Sequence, residues 1–282
     1  MADGKGPGRI TTSGLAFGAL MAILIAVSLW MFIAKPWWFP TLASIHGAEI
    51  DGVFNAVLIV TGIAFVVTQA VLGYFVARYG GAGSEKADYW HDNPKGEFFL
   101  LTGTALILVV LVFMGQRVWV RYYFTDLPEN ATAVQVTAQQ FQWQFHYPGA
   151  DGKFGRTDLT LVDSTSPAGQ VGLDDKDPAA KDDIVVTGEM HVPVNKPVIV
   201  KLRSKDVIHS FFLPNQRVKQ DAVPGLSIEV TFTPNVAGNF ELACAELCGN
   251  NHYKMKGLVT VDASEEEFNN WLKMKLSERT GD

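Results

Sequence analysis

Three stretches of the chain contain no Asp, Glu, Lys or Arg: residues 10–34, 52–77 and 98–116. A helix rising about 1.5 Å per residue crosses a hydrocarbon core of about 30 Å within such a run, so each is predicted to span a membrane. The pattern changes at about residue 122. Residues 133–147 alternate apolar and polar side chains for much of their length, the mark of a half-buried strand. Shorter runs at 184–186, 197–202, 227–232, 239–242 and 258–261 are divided by Pro, Gly and Asn, which predicts further strands and turns. Residues 149–183 are rich in Gly, Asp, Pro and Ser and read as a long surface excursion. Ser264 followed by Glu267 forms a capping box at the start of a terminal helix, with Phe268, Trp271 and Leu272 on its apolar face. The predicted architecture is a membrane anchor over residues 1–121 with three transmembrane helices. An all-β sandwich or Greek-key barrel with a C-terminal helix follows over residues 122–282.

Composition agrees with this division. Of 282 residues only 18% are charged, against about 25% in soluble domains, and the concentration of the shortage in three membrane-length runs excludes a wholly soluble or a disordered chain. Residues 1–121 carry 8 Lys and Arg against 7 Asp and Glu, and residues 122–282 carry 15 against 22. A domain of net charge −7 repels phosphates, so nucleic acid is an unsuitable partner and a basic protein a suitable one. Asp174, Asp175, Asp177, Asp182 and Asp183 cluster in the excursion. They would either guide such a partner or serve as a solvated surface.

The first apolar run is longer than the roughly 7–15 residues of a signal sequence and leads into the aromatic cluster Trp37, Trp38 and Phe39, which suits a membrane interface. It is read as a retained span. Lys5 and Arg9 precede the first span, and Arg78, Lys86 and Lys95 lie between the second and third. Only Lys35 lies between the first and second. The excess of cations predicts the N-terminus inside and the large domain on the outer side of the membrane. Arg117 and Arg121 argue mildly in the other direction.

Candidate chemistry is concentrated near the C-terminus. Cys244 and Cys248, the two cysteines of the chain, are followed at ligand spacing by His252 and Met255. Thiolate, imidazole and thioether donors together select copper over magnesium or calcium, and two thiolates suffice to bridge two copper ions. Met255 and a backbone carbonyl could then make weak axial contacts. A disulfide would leave this clustering of soft ligands without a purpose, and structural zinc rarely recruits Met.

The C-x-E-x-C-x3-H-x2-M loop over residues 244–255 resembles the copper motif of subunit II of the haem-copper cytochrome c oxidases. The segment from Asp206 through His209 to Gly225 resembles that family's upstream histidine segment. The resemblance implies a cupredoxin-like sandwich holding a binuclear CuA centre on His209, Cys244, Cys248, His252 and Met255, with the backbone carbonyl of Glu246. The Glu246 side chain would help to bind magnesium at the boundary with the catalytic subunit. On this reading the chain accepts electrons from cytochrome c or a similar carrier and passes them to haem in subunit I, where dioxygen is reduced. Its setting would be membrane lipid and the other oxidase subunits. No C-x-x-C-H is present to attach a c-type haem. Alternatives from other classes are the CuA subunit of a membrane nitric oxide reductase and a copper-delivery protein.

Three features depart from the family pattern. They are the extra first span, the excursion over 149–183, and the segment Gln140, Phe141, Gln142, Trp143 where the family has Q-W-x-W. Phe141 stands where the family's electron-accepting Trp stands, with Trp143 nearby. Asp206 matches an acidic position of the family and is a candidate for donor docking. Glu97 resembles the glutamate near a proton-uptake pathway, although a carboxylate is also favoured at a helix start by the macrodipole.

Overall fold

The computed structural model describes residues 12–35, 39–79, 92–124 and 130–281. Lys5, Arg9, Trp37, Trp38 and Lys86 lie outside the described residues. The three apolar runs form α1 (Thr12–Ala34), α2 (Gly47–Tyr79) and α3 (Pro94–Tyr123), each long and apolar enough to cross a membrane. The helices outrun the charge-free segments because their ends add Glu49, Arg78, Lys95 and Arg121, of which Glu49 and Arg121 pair with each other. α1 approaches α2 where Gly18 lies against Ala77 and Gly73 against Met21, the small residues permitting close backbones. At the start of α3 the Asn93 side chain accepts from Gly96 N–H at 3.1 Å.

Two compact units result. The first comprises residues 1–39 and 51–117, the second residues 40–50 and 118–282. In the second, among the described residues, ten strands form two five-stranded sheets: β1 (Thr132–Gln139), β2 (Gln142–Tyr147), β3 (Ile184–Thr187), β4 (Glu189–Pro193), β5 (Val198–Ser204), β6 (His209–Leu213), β7 (Val218–Ala222), β8 (Ile228–Phe232), β9 (Gly238–Cys244) and β10 (Lys256–Asp262). One sheet has the order β3-β2-β1-β5-β8 and the other β4-β10-β9-β6-β7. β1 pairs with β5, and β4 with β10, in parallel; the remaining neighbours are antiparallel. Val134, Val136, Trp143, Phe145, Val200 and Leu202 from the first sheet meet Met190, Val192, Phe211, Leu242 and Val259 from the second in one core.

The run at 133–147 is not one strand. It breaks at Gln140 and Phe141 into the antiparallel pair β1 and β2, with Gln139 opposite Gln142. The alternation survives in β1, whereas β2 is buried on both faces from Trp143 to Tyr147. Its second face is covered by the excursion, where Gln170 accepts hydrogen bonds from Gln142 and Gln144.

The excursion is a folded layer rather than a loose surface. It contains α4 (Pro167–Gln170) and a small core of Val171, Leu173 and Ala180 packed with Val185. Its acidic residues are mostly engaged within the fold. Asp183 is fully buried, 2.6 Å from Nε2 of the buried His146, and accepts from Gly155 N–H at 2.7 Å. Asp174 pairs with Arg156, Asp177 caps a short 3-10 turn, Asp182 accepts from Asp151 N–H, and Asp175 meets Arg279. Carboxylates favour such turns because they satisfy nearby N–H groups. The run is therefore scaffold more than a free field of charge.

α5 (Glu265–Thr280) closes the domain. The Ser264 hydroxyl accepts from Glu267 N–H and the Glu267 carboxylate accepts from Ala263 N–H, each at 3.1 Å. Phe268 and Trp271 are buried and Leu272 half-buried. Trp271 stacks on His191 with ring centroids 4.1 Å apart.

These contacts separate two acidic residues of the excursion. Asp183→Ala leaves the buried His146 without its partner and should cost about 3–5 kcal/mol. Asp175→Ala removes an exposed pair and should cost less than about 1 kcal/mol. Thermal unfolding of the purified variants, followed by near-ultraviolet circular dichroism, checks the contrast.

Candidate metal centre

The site occupies one end of the β4-β10-β9-β6-β7 sheet, and strand register builds it. His209 is the first residue of β6 and Cys244 the last of β9. The two strands pair so that Phe211 faces Cys244 and Phe212 faces Ala243. β9 and β10 are joined by a tight loop, closed where Cys244 N–H donates to the Met255 carbonyl at 3.0 Å. Ala245 N–H, at 3.0 Å, donates to the Ser210 carbonyl, tying the loop to the strand that carries His209. Within the loop a short 3-10 turn, His252–Lys254, brings His252 back toward the cysteines and leads into Met255.

This arrangement gathers five soft or borderline donors and one carbonyl oxygen. The two sulfurs lie 3.8 Å apart as free thiols. A disulfide would place them about 2.05 Å apart. A metal bonded at about 2.3 Å to each thiolate fits between them. Nδ1 of His209 is 4.0 Å from the Cys244 sulfur, and Nδ1 of His252 is 3.6 Å from the Cys248 sulfur. The Met255 sulfur is 3.7 Å from Cys248, and the Glu246 carbonyl oxygen 3.2 Å from the Cys244 sulfur. His209 is fully buried and Cys244, Cys248 and Met255 nearly so, so a bound ion would be screened from water. The Glu246 side chain is exposed.

The surroundings set protonation. Asp206 lies 2.8 Å from His209 Nε2. A carboxylate accepts only, so that nitrogen carries a proton and the ring turns Nδ1 toward the sulfurs. Burial opposes protonation of His209, but the Cys244 sulfur and the Asp206 carboxylate outweigh it and raise its pKa. Burial likewise opposes ionisation of Asp206, yet N–H donors from Gln140, His209 and Val207 hold it below the usual carboxylate value. Burial also disfavours the Cys244 thiolate. Hydrogen bonds from His209, from the backbone at Ser210 and Glu246, and from His252 prevail and bring it down to about 6. Burial first, and then the neighbouring Cys244 charge, push Cys248 up to about 11.

The other residues singled out in the sequence fall at different distances from the cluster. Trp143 is fully buried beneath His209, ring centroids 6.1 Å apart, and meets Phe211 at 5.8 Å. Phe141 is half-buried at the β1–β2 turn. It faces Gly249, where a Cβ would come within 3.0 Å of the Phe141 ring. Gly249 also has φ +133°, so both conformation and space require glycine there. Asp206 has a 31% exposed side chain, but its recorded partners are internal. Glu97 lies in the first turn of α3, in the other unit, and is not among the gathered residues. Sequence reasoning passed over Gln140. Its side chain donates to the Cys248 carbonyl at 2.6 Å and its backbone N–H to Asp206 at 2.7 Å. Only the aromatic residues of its segment had suggested a role.

The chain is similar to known proteins over most of its length. The family model described as "Cytochrome C oxidase subunit II, periplasmic domain" matches residues 132–262. The alternative cytochrome c oxidase subunit 2 of Bradyrhizobium diazoefficiens is 37% identical over 259 residues, covering 91% of each chain. Cytochrome c oxidase subunit 2 of Cereibacter sphaeroides is 30% identical over 247 residues, 83% of this chain and 76% of that one. A crystal structure of the periplasmic domain of subunit II of cytochrome oxidase of Bradyrhizobium japonicum covers 54% of this chain and 99% of its own. It does so at 28% identity with a TM-score of 0.38. The chain belongs to the cytochrome c oxidase subunit II family. It is thus a membrane subunit of a haem-copper oxidase, an oxidoreductase complex, with a cupredoxin-like domain that carries a candidate copper site.

The two thiols should ionise far apart. In protein stripped of metal with a chelator, ultraviolet thiolate absorbance should rise in one step near pH 6 and a second near pH 11. Cys248→Ser should remove the upper step, whereas Cys244→Ser should remove the lower one and move the remaining step down from about 11, because the Cys244 charge that opposes ionisation of Cys248 is gone. Because metal displaces thiol protons, copper uptake should weaken as pH falls through about 6, where Cys244 gains its proton.

Proposed function

We propose that this chain accepts electrons into the oxidase through a binuclear copper centre. Cys244 and Cys248 would bridge the ions, with His209 and His252 as terminal ligands and Met255 and the Glu246 carbonyl as weak axial ones. The observation that carries this reading is the meeting of both histidine Nδ1 atoms, both free sulfurs, the thioether and the carbonyl around one pair of thiols. A mononuclear site would leave one thiolate and one of these donors idle. When bound, the copper would supply a one-electron redox couple held by these residues.

The protein's own part is positional. Asp206 orients His209, strand register holds Cys244, and the closed loop holds the rest, so little must rearrange when an electron arrives. Phe141 on the loop and Trp143 beneath His209 provide aromatic groups beside the cage where electrons would enter from cytochrome c or a similar donor. Asp206 retains enough exposure to meet a basic donor. The exposed Glu246 side chain is free to reach a magnesium ion at the boundary with subunit I, where haem would receive the electron. Residues 1–121 would anchor the chain with the N-terminus inside, and residues 122–282 would form the extracytoplasmic domain. Glu97, near the inner end of α3 in that orientation, would lie toward the side from which protons are taken up.

Removing either bridge tests the centre directly. Two equivalent copper nuclei sharing one unpaired electron give a hyperfine pattern distinct from that of one copper. Cys244→Ser and Cys248→Ser should each abolish it, because a hydroxyl is a harder and poorer bridge. Met255→Leu should retain copper but shift the potential, as expected of an axial ligand. A double Cys variant with the intact spectrum would falsify the assignment.

Topology is tested independently. A reporter fused ahead of residue 10 should respond on the cytoplasmic side and one fused after residue 282 on the outer side. Accessibility of the second to an impermeant reagent in intact cells is the measurement.

A further inference from the structure

We propose that Gln140 is a positioning residue that fastens both halves of the ligand cage to the β1–β2 hairpin. The inference rests on the assignment of His209 and Cys248 as copper ligands. The two halves come from different elements, His209 from β6 and Cys248 from the β9–β10 loop. Both belong to one sheet, whereas the hairpin that carries Gln140 belongs to the other. Gln140 reaches each half with a separate group. Its side-chain Nε2 donates to the Cys248 carbonyl at 2.6 Å, and its backbone N–H donates to Asp206 Oδ2 at 2.7 Å. The other oxygen of Asp206 holds His209 Nε2 at 2.8 Å.

The chemistry of each contact fixes its direction. A carbonyl oxygen only accepts, so the amide of Gln140 must present its NH2 to Cys248. The Asp206 carboxylate gives one oxygen to the Gln140 N–H and the other to His209 Nε2, so one side chain ties the hairpin to the imidazole. Gly249, the residue after Cys248, brings its backbone against Gln140, and a Cβ there would lie 2.8 Å from Gln140 Nε2. The glycine thus permits the approach that the hydrogen bond requires. Such partners of ligand residues hold ring orientation and loop position, and losing one typically lowers metal affinity about 10–100-fold.

Gln140→Met keeps the length and neutrality of the side chain but removes its donor, while the backbone bond to Asp206 remains. Gln140→Lys returns an N–H donor on a chain of similar reach. Gln142→Met is the matched control, since the Gln142 amide donates to Gln170 in the excursion. The variants are made in the full chain and purified within the assembled oxidase. The readouts are copper affinity by competition with a chelator, the hyperfine spectrum and the reduction potential. Thermal unfolding after metal removal reports on the fold.

The Met variant should bind copper about tenfold more weakly, with a changed hyperfine pattern and a shifted potential. The Lys variant should recover most of the affinity, and the control should match wild type. A Met variant with wild-type affinity, spectrum and potential overturns the proposal. So does a copper loss that merely tracks a lower unfolding midpoint. Wild-type protein that holds no copper pair would overturn the site assignment, and this inference with it. A normal wild-type pair with an unaltered Met variant would remove the clamp alone.

Discussion

The hydrogen bond from Cys244 N–H to the Met255 carbonyl is the constraint on which the site depends. It closes the β9–β10 loop at the point where the ladder ends. Without it the five donors of the loop would be carried on a flexible segment, and bringing them together would cost the conformational entropy of each residue. With it, two free sulfurs are held 3.8 Å apart and cannot be confused with a relaxed disulfide. The remaining donor, His209, arrives from β6 because that strand is the next neighbour in the same sheet. A sandwich can therefore build a multi-donor site from strand ends, provided that register is exact to one residue. A shift by one would turn His209 to the opposite face.

Much of this was legible in the chain. The three apolar runs became helices because nothing in them offers an alternative to internal backbone hydrogen bonding in lipid. The terminal helix appeared where Ser264 and Glu267 placed it. The strands that escaped notice, β4, β6 and β7, have a common physical reason. β4 and β6 are buried along most of their length, and β7 is short with Lys219 and Asp221 exposed. None shows a sustained period of two. The break between β1 and β2 leaves only a change of phase in the alternation, from apolar residues at 134, 136 and 138 to apolar residues at 141, 143, 145 and 147 across the adjacent Gln139 and Gln140.

The excursion was harder to read, for an electrostatic reason. A run of aspartates in a Gly- and Pro-rich segment has the composition of a solvated loop. In the fold, however, Asp177 and Asp182 cap local N–H groups and Asp183 lies beneath the surface with His146. Net charge alone does not distinguish a carboxylate facing solvent from one satisfied within the protein. The domain's −7 survives these contacts, because a carboxylate that accepts from N–H keeps its charge; what the excursion loses is carboxylates free to turn toward a donor, and attention moves to the rim of the cage.

At that rim, two adjacent residues unite functions that the sequence presents as separate. Gln140 contacts Cys248 and Asp206, and Phe141 lies against Gly249, all from one turn. Asp206 is itself divided between an outward edge and the ring of His209. Neutralising Asp206 would therefore alter the imidazole's partner as well as any docking charge. A change in donor association could be assigned to docking only where the copper spectrum stayed constant. The same coupling gives Phe141 a physical role that does not require a tryptophan. A ring seated on the loop glycine touches the cage through the backbone it packs against, and the hairpin that supports the ring also bears the proposed clamp. A donor pressing on this turn would then meet a surface whose position and whose ligands are fixed by the same few hydrogen bonds.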